Sequence, residues 1–157
     1  MAKDLSNEAG LEFVRARTLG KLADTMGITC SEFSADRVVA HMPVEGNTQP
    51  VGLLHGGANV VLGETLGSMH ANFIAPEGHI AVGVDINATH SGSAASGTVT
   101  AVCTPIHVGK STTVHEIIIT RDSDGKRCST VRITNFYKRL DPNDPLLKLA
   151  EAAKRAA

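Results

Sequence analysis

The clearest pattern of apolar and polar positions lies in the middle of the chain and predicts a long helix. Over residues 56–74, Leu62, Leu66, Met69 and Phe73 recur at helical spacing and share one face. The opposite face carries small or polar residues, namely Gly57, Val60, Glu64, Gly67, Ser68 and Ala71. We predict that the apolar face packs on a sheet, while the small residues let another backbone or a ligand come close.

A change to period two after Pro76 predicts strands in the second half of the chain. Val82, Val84, Ile86 and Ala88 alternate with Gly83, Asp85, Asn87 and Thr89. Three further strands are predicted over residues 98–108, 112–121 and 127–139. Pro105 indicates an edge or a bulge, and Asp124-Gly125 indicates a hairpin. Hairpin connections make the predicted sheet mostly antiparallel.

The first third of the chain shows weaker signals. A short helix is predicted around 16–26, with Gly27 ending it. A strand pair is predicted over 28–34 and 37–42. Residues 43–54, with two prolines and two glycines, predict a loop long enough to carry function.

These elements add up to an α+β fold in which one long helix lies on a sheet. All 157 residues are interpreted as one domain, with a core over about 15–138. The ends are interpreted as appendages, including a helical tail over about 143–156. Uncovered sheet edges in such a fold favour a homo-oligomer.

Composition excludes several partner classes. The formal net charge is −1, which gives no strong field for nucleic acid or membrane. One Tyr and no Trp make a base-stacking platform improbable. The three cysteines show no metal or disulfide spacing, so we expect reduced thiols, no metal and a cytoplasmic protein. No apolar run is long enough to span a bilayer.

Glu64 is the candidate catalytic residue, because it is the only charged residue between Val51 and Pro76. Holding an ionised carboxylate in a partly buried place costs several kcal/mol, so an apolar helix folds more easily without it. One interpretation is a solvated strip or a pairing with a cation. The functional interpretation is a carboxylate held in a cleft as nucleophile or general base.

The helix start offers a second candidate feature. Gly56 and Gly57 either permit a tight entry into the helix or leave the Gly56 N–H unpaired. An unpaired N–H there could stabilise an oxyanion, helped by the helix dipole. His55 is either a cap residue or a group that binds the reacting bond. Gln49 and Ser68 are neutral polar neighbours, and each alone is more often structural.

Motifs of other enzyme classes are missing from the sequence. There is no GxSxG, no P-loop and no GxGxxG, which argues against serine hydrolases, nucleotide hydrolases and dinucleotide enzymes. The histidines never occur at a metal-binding helical spacing with a carboxylate.

The segments 52–58 (Gly-Leu-Leu-His-Gly-Gly-Ala) and 63–68 (Gly-Glu-Thr-Leu-Gly-Ser) together resemble the hotdog-fold acyl-CoA thioesterases. Within them the chain looks like the branch that hydrolyses 4-hydroxybenzoyl-CoA and 1,4-dihydroxy-2-naphthoyl-CoA. Segments 82–90, 105–110 and 124–128 also match. The resemblance covers roughly residues 15–138. It implies a long helix wrapped by an antiparallel sheet, with active sites at a dimer interface and dimers paired into tetramers.

The resemblance also implies roles for particular residues. Glu64 looks like the family's catalytic carboxylate and Gly56 like its oxyanion donor. His55 and Gln49 match polar residues beside the thioester, and Ser68 matches a small hydroxyl residue near the reacting centre. Segments that hold the CoA arm or the acyl group are matched by Gly83, His90, Ser91, Lys110 and Ser111. Where relatives often carry a basic residue for the CoA phosphates, this chain has Ser91-Gly92-Ser93.

We therefore expect a thioesterase that acts on an aromatic acyl-CoA and needs no cofactor, since CoA is part of the substrate. Two alternatives stay open. A hydratase or dehydratase of the same fold would act on the acyl carbons and release no thiol. A non-catalytic acyl-CoA-binding module would bind the ligand and leave it intact.

Overall fold

A computed structural model describes residues 3–141 and 143–146. Its elements are, in chain order, α1 (Asn7–Arg17), α2 (Lys21–Thr25), β1 (Thr29–Phe33), β2 (Val38–Pro43), α3 (Gly56–Ile74), β3 (His79–His90), β4 (Thr98–Val108), β5 (Thr112–Arg121) and β6 (Arg127–Arg139). The six strands form one antiparallel sheet in the order β1-β2-β4-β5-β6-β3. The predicted α+β class and sheet type are confirmed.

The sheet wraps around α3, which has the predicted length. Leu62 and Leu66 are fully buried and Phe73 nearly so, so the apolar stripe packs in the core as predicted. The small face is also covered. A Cβ added to Gly67 would lie 2.3 Å from Cγ2 of Ile133 on β6. Small residues there serve close packing of helix and sheet.

The short helix predicted around 16–26 is present only as α2, in the second half of that range, and α1 was not predicted. The structure has a helix over Asn7–Arg17 and a short one over Lys21–Thr25 instead. α1 is packed on the domain, because the Phe33 N–H donates to Asn7 Oδ1 at 2.7 Å. The Phe13 ring also lies 5.3 Å from the Phe73 ring. Gly27, with a φ of 70°, follows α2 as predicted.

The simple alternation predicted for β3 is also wrong. A bulge between Gly83 and Asp85 shifts the register against β6. Ile86 and Ala88 therefore pack on the core, whereas Val82 and Val84 are exposed. The bulge expected near Pro105 is confirmed, between Pro105 and His107.

The chain ends are only partly described. Most of the predicted tail over 143–156 lies outside the described residues, of which Pro145 and Leu146 are helical. Within the described part, no helix combines the length and apolar character required to cross a membrane.

Candidate active site

The start of α3 is capped by His55, which settles the state of its imidazole. Nδ1 of His55 accepts a hydrogen bond from the Gly57 N–H at 2.8 Å. An accepting Nδ1 carries no proton, so the proton of the neutral ring lies on Nε2. His55 is exposed, and no described residue bonds its Nε2. The cap therefore leaves an N–H donor free at the helix start.

Gly56 supplies a second free donor beside it. It is the first residue of α3, and no described residue accepts its N–H, as expected for the first turn of a helix. A Cβ at this position would lie 2.8 Å from Nε2 of His90. Glycine is thus required for His90 to approach the helix start.

His90, at the end of β3, is held in a defined orientation. Its Nδ1 lies 3.0 Å from Ser129 Oγ, and that hydroxyl donates to the Thr89 carbonyl at 3.4 Å. The Ser129 oxygen therefore accepts from His90 Nδ1, and the lone pair of His90 lies on Nε2, the atom near Gly56. The helix start consequently gathers two donors and one acceptor.

Glu64 forms a second group, two turns further along α3. Its side chain is half-buried, and its Oε1 accepts a hydrogen bond from Ser68 Oγ at 3.1 Å. A Cβ on Gly83 would lie 3.0 Å from the same oxygen. A cavity of about 240 Å³ opens beside the carboxylate, lined by Glu64, Gly83, Val84, Asp85 and Ile86. The β3 bulge therefore leaves open space at the carboxylate.

The two groups are separate within one chain. Gly56 and Glu64 are eight residues apart on α3, which corresponds to about 12 Å along the helix axis. A different cavity, of about 330 Å³, lies at the helix start. Its lining includes His55, Asn47, Met26, Ala58 and Val61. The chain thus presents the Glu64 carboxylate and the free N–H donors of the helix start at two different places.

The other predicted site residues lie further out. Gln49 is half-buried in the loop before α3, and its Oε1 accepts from the Val51 N–H at 3.3 Å. Ser91 follows His90, with its N–H bonded to the Cys128 carbonyl. Lys110 and Ser111 are exposed between β4 and β5. That turn lies at the end of the sheet opposite to His90, so the structure does not bring these two residues to the helix start.

Two residues that the sequence argument missed hold the site in place. Ser129 orients His90, and the buried Asn135 on β6 contacts Ser68, with its Oδ1 3.2 Å from Ser68 Oγ. Both are polar residues among the inward-facing apolar positions of β6, such as Val131 and Ile133. A polar residue in an otherwise apolar period-two pattern is the signal that could have found them.

The thiols are poor candidates for a nucleophile. Burial raises the pKa of Cys30 to about 11 and also raises the pKa values of Cys103 and Cys128. A thiol held protonated reacts slowly, because the thiolate is the nucleophile. Over residues 3–141 and 143–146, no group of three His, Cys, Asp or Glu side chains could hold a metal ion. The Glu64 carboxylate and the N–H donors of His55 and Gly56 are therefore the groups that remain as candidates for catalysis.

Comparisons with known proteins agree on one family. The family model of the thioesterase superfamily matches residues 51–128. The chain is 41% identical over 125 residues to the proofreading thioesterase EntH of Cronobacter turicensis, covering 79% of this chain and 90% of that protein. EntH of Klebsiella pneumoniae is 39% identical over 127 residues, with coverages of 80% and 92%.

Solved structures are similar as well. The thioesterase HI1161 of Haemophilus influenzae superimposes with a TM-score of 0.73 at 38% identity, covering 78% of this chain and 87% of that one. A mutant of the thioesterase PA1618 of Pseudomonas aeruginosa gives a TM-score of 0.77 at 39% identity, with coverages of 83% and 94%.

Proposed function

The chain belongs to the thioesterase superfamily with a hotdog fold, and from this premise we propose that it hydrolyses an acyl-CoA thioester with Glu64 as the catalytic carboxylate. The observation that carries the proposal is the placement of Glu64. It is a half-buried carboxylate, bonded by one hydroxyl and open to a cavity of about 240 Å³. A carboxylate in such a place is available for attack or proton abstraction.

The separation of the two groups within one chain supports a site shared by two protomers. In this arrangement the thioester carbonyl oxygen accepts from the Gly56 N–H and from His55 Nε2, which are free in one protomer. Glu64 of the partner subunit approaches the carbonyl carbon from the other side. Two donors aimed at the oxygen stabilise the negative charge that develops on it.

We place the nucleophilic route ahead of general-base catalysis. The Glu64 carboxylate attacks the carbonyl carbon, the C–S bond breaks, and a mixed anhydride and the CoA thiolate form. The thiolate takes a proton, and water then cleaves the anhydride to free acid and carboxylate. In the general-base route Glu64 removes a proton from water, and that water attacks the thioester directly.

Replacing Glu64 tests the proposal. In Glu64→Ala and Glu64→Gln we expect kcat for thiol release to fall by about 10²- to 10⁴-fold, as for loss of a catalytic acid–base group. Circular dichroism and thermal unfolding should show a retained fold. Near-normal turnover in either variant would make Glu64 a structural residue.

A single turnover in ¹⁸O-labelled water separates the two routes. Label found in the Glu64 carboxylate by peptide mass spectrometry would support the acyl-enzyme. Because water that attacks the acyl carbonyl of the anhydride also labels only the product acid, label in the product alone supports the general base only when rapid quenching also finds no acylated Glu64 peptide.

The acyl group is proposed to be aromatic. The cavity of about 330 Å³ beside His55 has apolar walls of Met26, Ala58 and Val61, and its size lies in the range of small-ligand sites. A panel of benzoyl-, 4-hydroxybenzoyl-, hexanoyl-, palmitoyl- and crotonyl-CoA tests this by kcat/KM for thiol release. Equal rates on the linear acyl chains would overturn the aromatic preference. Hydration of crotonyl-CoA without thiol release would indicate a hydratase.

A further inference from the structure

We propose that Asn135 is a positioning residue that orients Glu64 through the hydroxyl of Ser68. The inference rests on the proposed function, since it assigns Asn135 a role in catalysis by Glu64. Asn135 is fully buried on β6, and its Oδ1 lies 3.2 Å from Ser68 Oγ. Ser68 Oγ lies in turn 3.1 Å from Glu64 Oε1. We call this set the Asn135–Ser68–Glu64 chain.

The number of available hydrogens shows which group donates in each hydrogen bond of the Asn135–Ser68–Glu64 chain. The Ser68 hydroxyl has one hydrogen, yet both of its neighbours, Asn135 Oδ1 and Glu64 Oε1, are acceptors as placed. Meanwhile Asn135 Nδ2 is buried with no hydrogen-bond partner among the described residues. The oxygen and nitrogen of an amide are assigned from their hydrogen-bond network rather than seen directly.

Turning the amide of Asn135 by 180° resolves both conflicts. Nδ2 then takes the place of Oδ1 and donates to Ser68 Oγ, and the Ser68 hydroxyl donates to Glu64 Oε1. Every bond in the chain then has one donor and one acceptor, and it ends on an ionised carboxylate, the strongest acceptor available.

The oxygen of the turned Asn135 amide can also form a hydrogen bond. Thr113 on β5 lies directly opposite Asn135 in the strand register, and its buried hydroxyl has no hydrogen-bond partner either. Cβ atoms of directly opposite residues are about 4.5–5.5 Å apart. The Thr113 hydroxyl can therefore donate to the turned amide oxygen, which satisfies a second buried group.

This arrangement commits the Ser68 hydrogen to Glu64. With Asn135 donating to the Ser68 oxygen, the hydroxyl hydrogen is directed at the Glu64 carboxylate, which this bond holds beside Gly83. Without that donor the hydroxyl can rotate and the carboxylate loses its fixed orientation. Asn135 acts entirely through Ser68 and needs no contact with substrate.

A double-mutant cycle tests the proposal. Asn135→Leu removes the donor at similar volume, and Ser68→Ala breaks the link. For each we expect kcat to fall by about tenfold while KM changes by less than about twofold. The double variant should be no slower than the slower single variant.

Controls separate positioning from stability. Ile119→Val trims a fully buried β5 side chain that takes no part in the Asn135–Ser68–Glu64 chain, so it should lower the melting temperature and leave kcat and KM unchanged. If Asn135→Leu fails to fold, the smaller Asn135→Ala decides, because it removes the amide donor to Ser68 without adding bulk and should also slow kcat.

Three outcomes would overturn the role of Asn135. They are wild-type kcat in a folded Asn135 variant, multiplicative losses in the double variant, and an equal loss of kcat in Ile119→Val. The Glu64 variants are measured in parallel. If Glu64→Ala keeps its activity, the proposed function fails; if only the Asn135 variants keep theirs, the function stands and the positioning role alone is lost.

Discussion

The two ring nitrogens of His55 make different hydrogen bonds available at the start of α3. Its Nδ1 caps α3 through the Gly57 N–H at 2.8 Å, and its Nε2 remains a donor. The two nitrogens therefore have separable roles, one in stability and one in the proposed binding of the thioester oxygen. A substitution that keeps one role and removes the other can tell them apart.

His55→Asn should separate these roles. Asn is among the best N-cap residues, so the melting temperature should change little, whereas His55→Ala should cost about 0.5–2 kcal/mol of stability. Both variants lack the Nε2 donor, so we expect both to lose kcat by about 10²-fold, the lower bound for one oxyanion donor. Thermal unfolding and steady-state kinetics measure the two effects. Full activity in His55→Asn would show that the cap is the only role of His55.

The candidate residues on α3 stand out in the sequence, whereas the residues that support them leave only a weak signal. Gly56 and Glu64 stand out locally, as an unpaired helix start and as a lone charge. Asn135 meets Ser68 across 67 positions of sequence, and that contact exists only once the register of β6 is known. Long-range pairs of this kind leave at most a weak local signal, a polar residue at an inward position.

At the scale of elements, α3 and all six strands lie where they were predicted, whereas α1 was missed and the alternation of β3 failed at its bulge. α3 has an apolar stripe on one face and was placed correctly, from Gly56 to Ile74. α1 was missed for two reasons. Gly10 lowers the helix propensity of its sequence, and its packing depends on Phe33, which lies 20 residues beyond Phe13. Its local signals were the Ser6 cap and basic residues in the last turn, Arg15 and Arg17.

α3 can approach β6 closely because glycine residues at the contact have no side chain. A Cβ on Gly63 would lie 2.6 Å from Val131 Cγ1. Gly63→Ala should therefore destabilise the fold by about 1–3 kcal/mol through overpacking, against a gain in helix propensity of about 1 kcal/mol. Urea unfolding measures the net loss. Combined with Val131→Ala, Gly63→Ala should cost less than it does alone, and a strictly additive result would contradict this account.

α3 also meets β5 through two buried histidines. His70 Nε2 bonds the Ser34 carbonyl at 2.8 Å and therefore carries a proton, so His70 Nδ1 accepts from His115 Nε2, also at 2.8 Å. His115 Nδ1 is buried without a partner among the described residues. Both rings are thus neutral. A second proton on His70 Nδ1 would break the hydrogen bond from His115, and a second proton on His115 Nδ1 would be buried without an acceptor.

This pair should make stability fall in acid. Burial lowers the pKa of His70, against the opposing charge of Asp36, and burial together with His70 lowers the pKa of His115. The unfolded chain then binds protons first, so this stability is complete above the ordinary value of 6.5 and is lost as the pH falls below it.

Urea unfolding between pH 7.5 and 4.5 measures the effect. The limit is about 1.4 kcal/mol per pH unit for each group. The double variant His70→Leu, His115→Leu lacks both titrating groups and should show a flatter dependence on pH. Equal slopes in the two proteins would remove the pair as the cause.

At the scale of the whole molecule, no other strand of the described residues pairs with the outer edge of β3. β3 is an edge strand of 12 residues, and Val82 and Val84 on it are 40% and 61% exposed. Phe136, the register partner of Val82, is 44% exposed. An open edge flanked by exposed apolar side chains favours pairing with another strand. A second copy at this edge would also lie next to the Glu64 cavity, which β3 lines.

Mixing two inactive variants tests whether the site is shared between protomers. Glu64→Ala and His55→Ala each disable every site of their own homodimer. If Glu64 of one protomer serves His55 of the other, a mixed dimer has one site with both residues intact and one with neither. Random reassociation of equal amounts after mild denaturation should then recover roughly a quarter of wild-type activity in a two-fold dimer. Wild-type protein treated in the same way sets the reference. If both residues act within one chain, every site in the mixture lacks one of them and no activity returns, so an inactive mixture of refolded dimers would contradict the shared site.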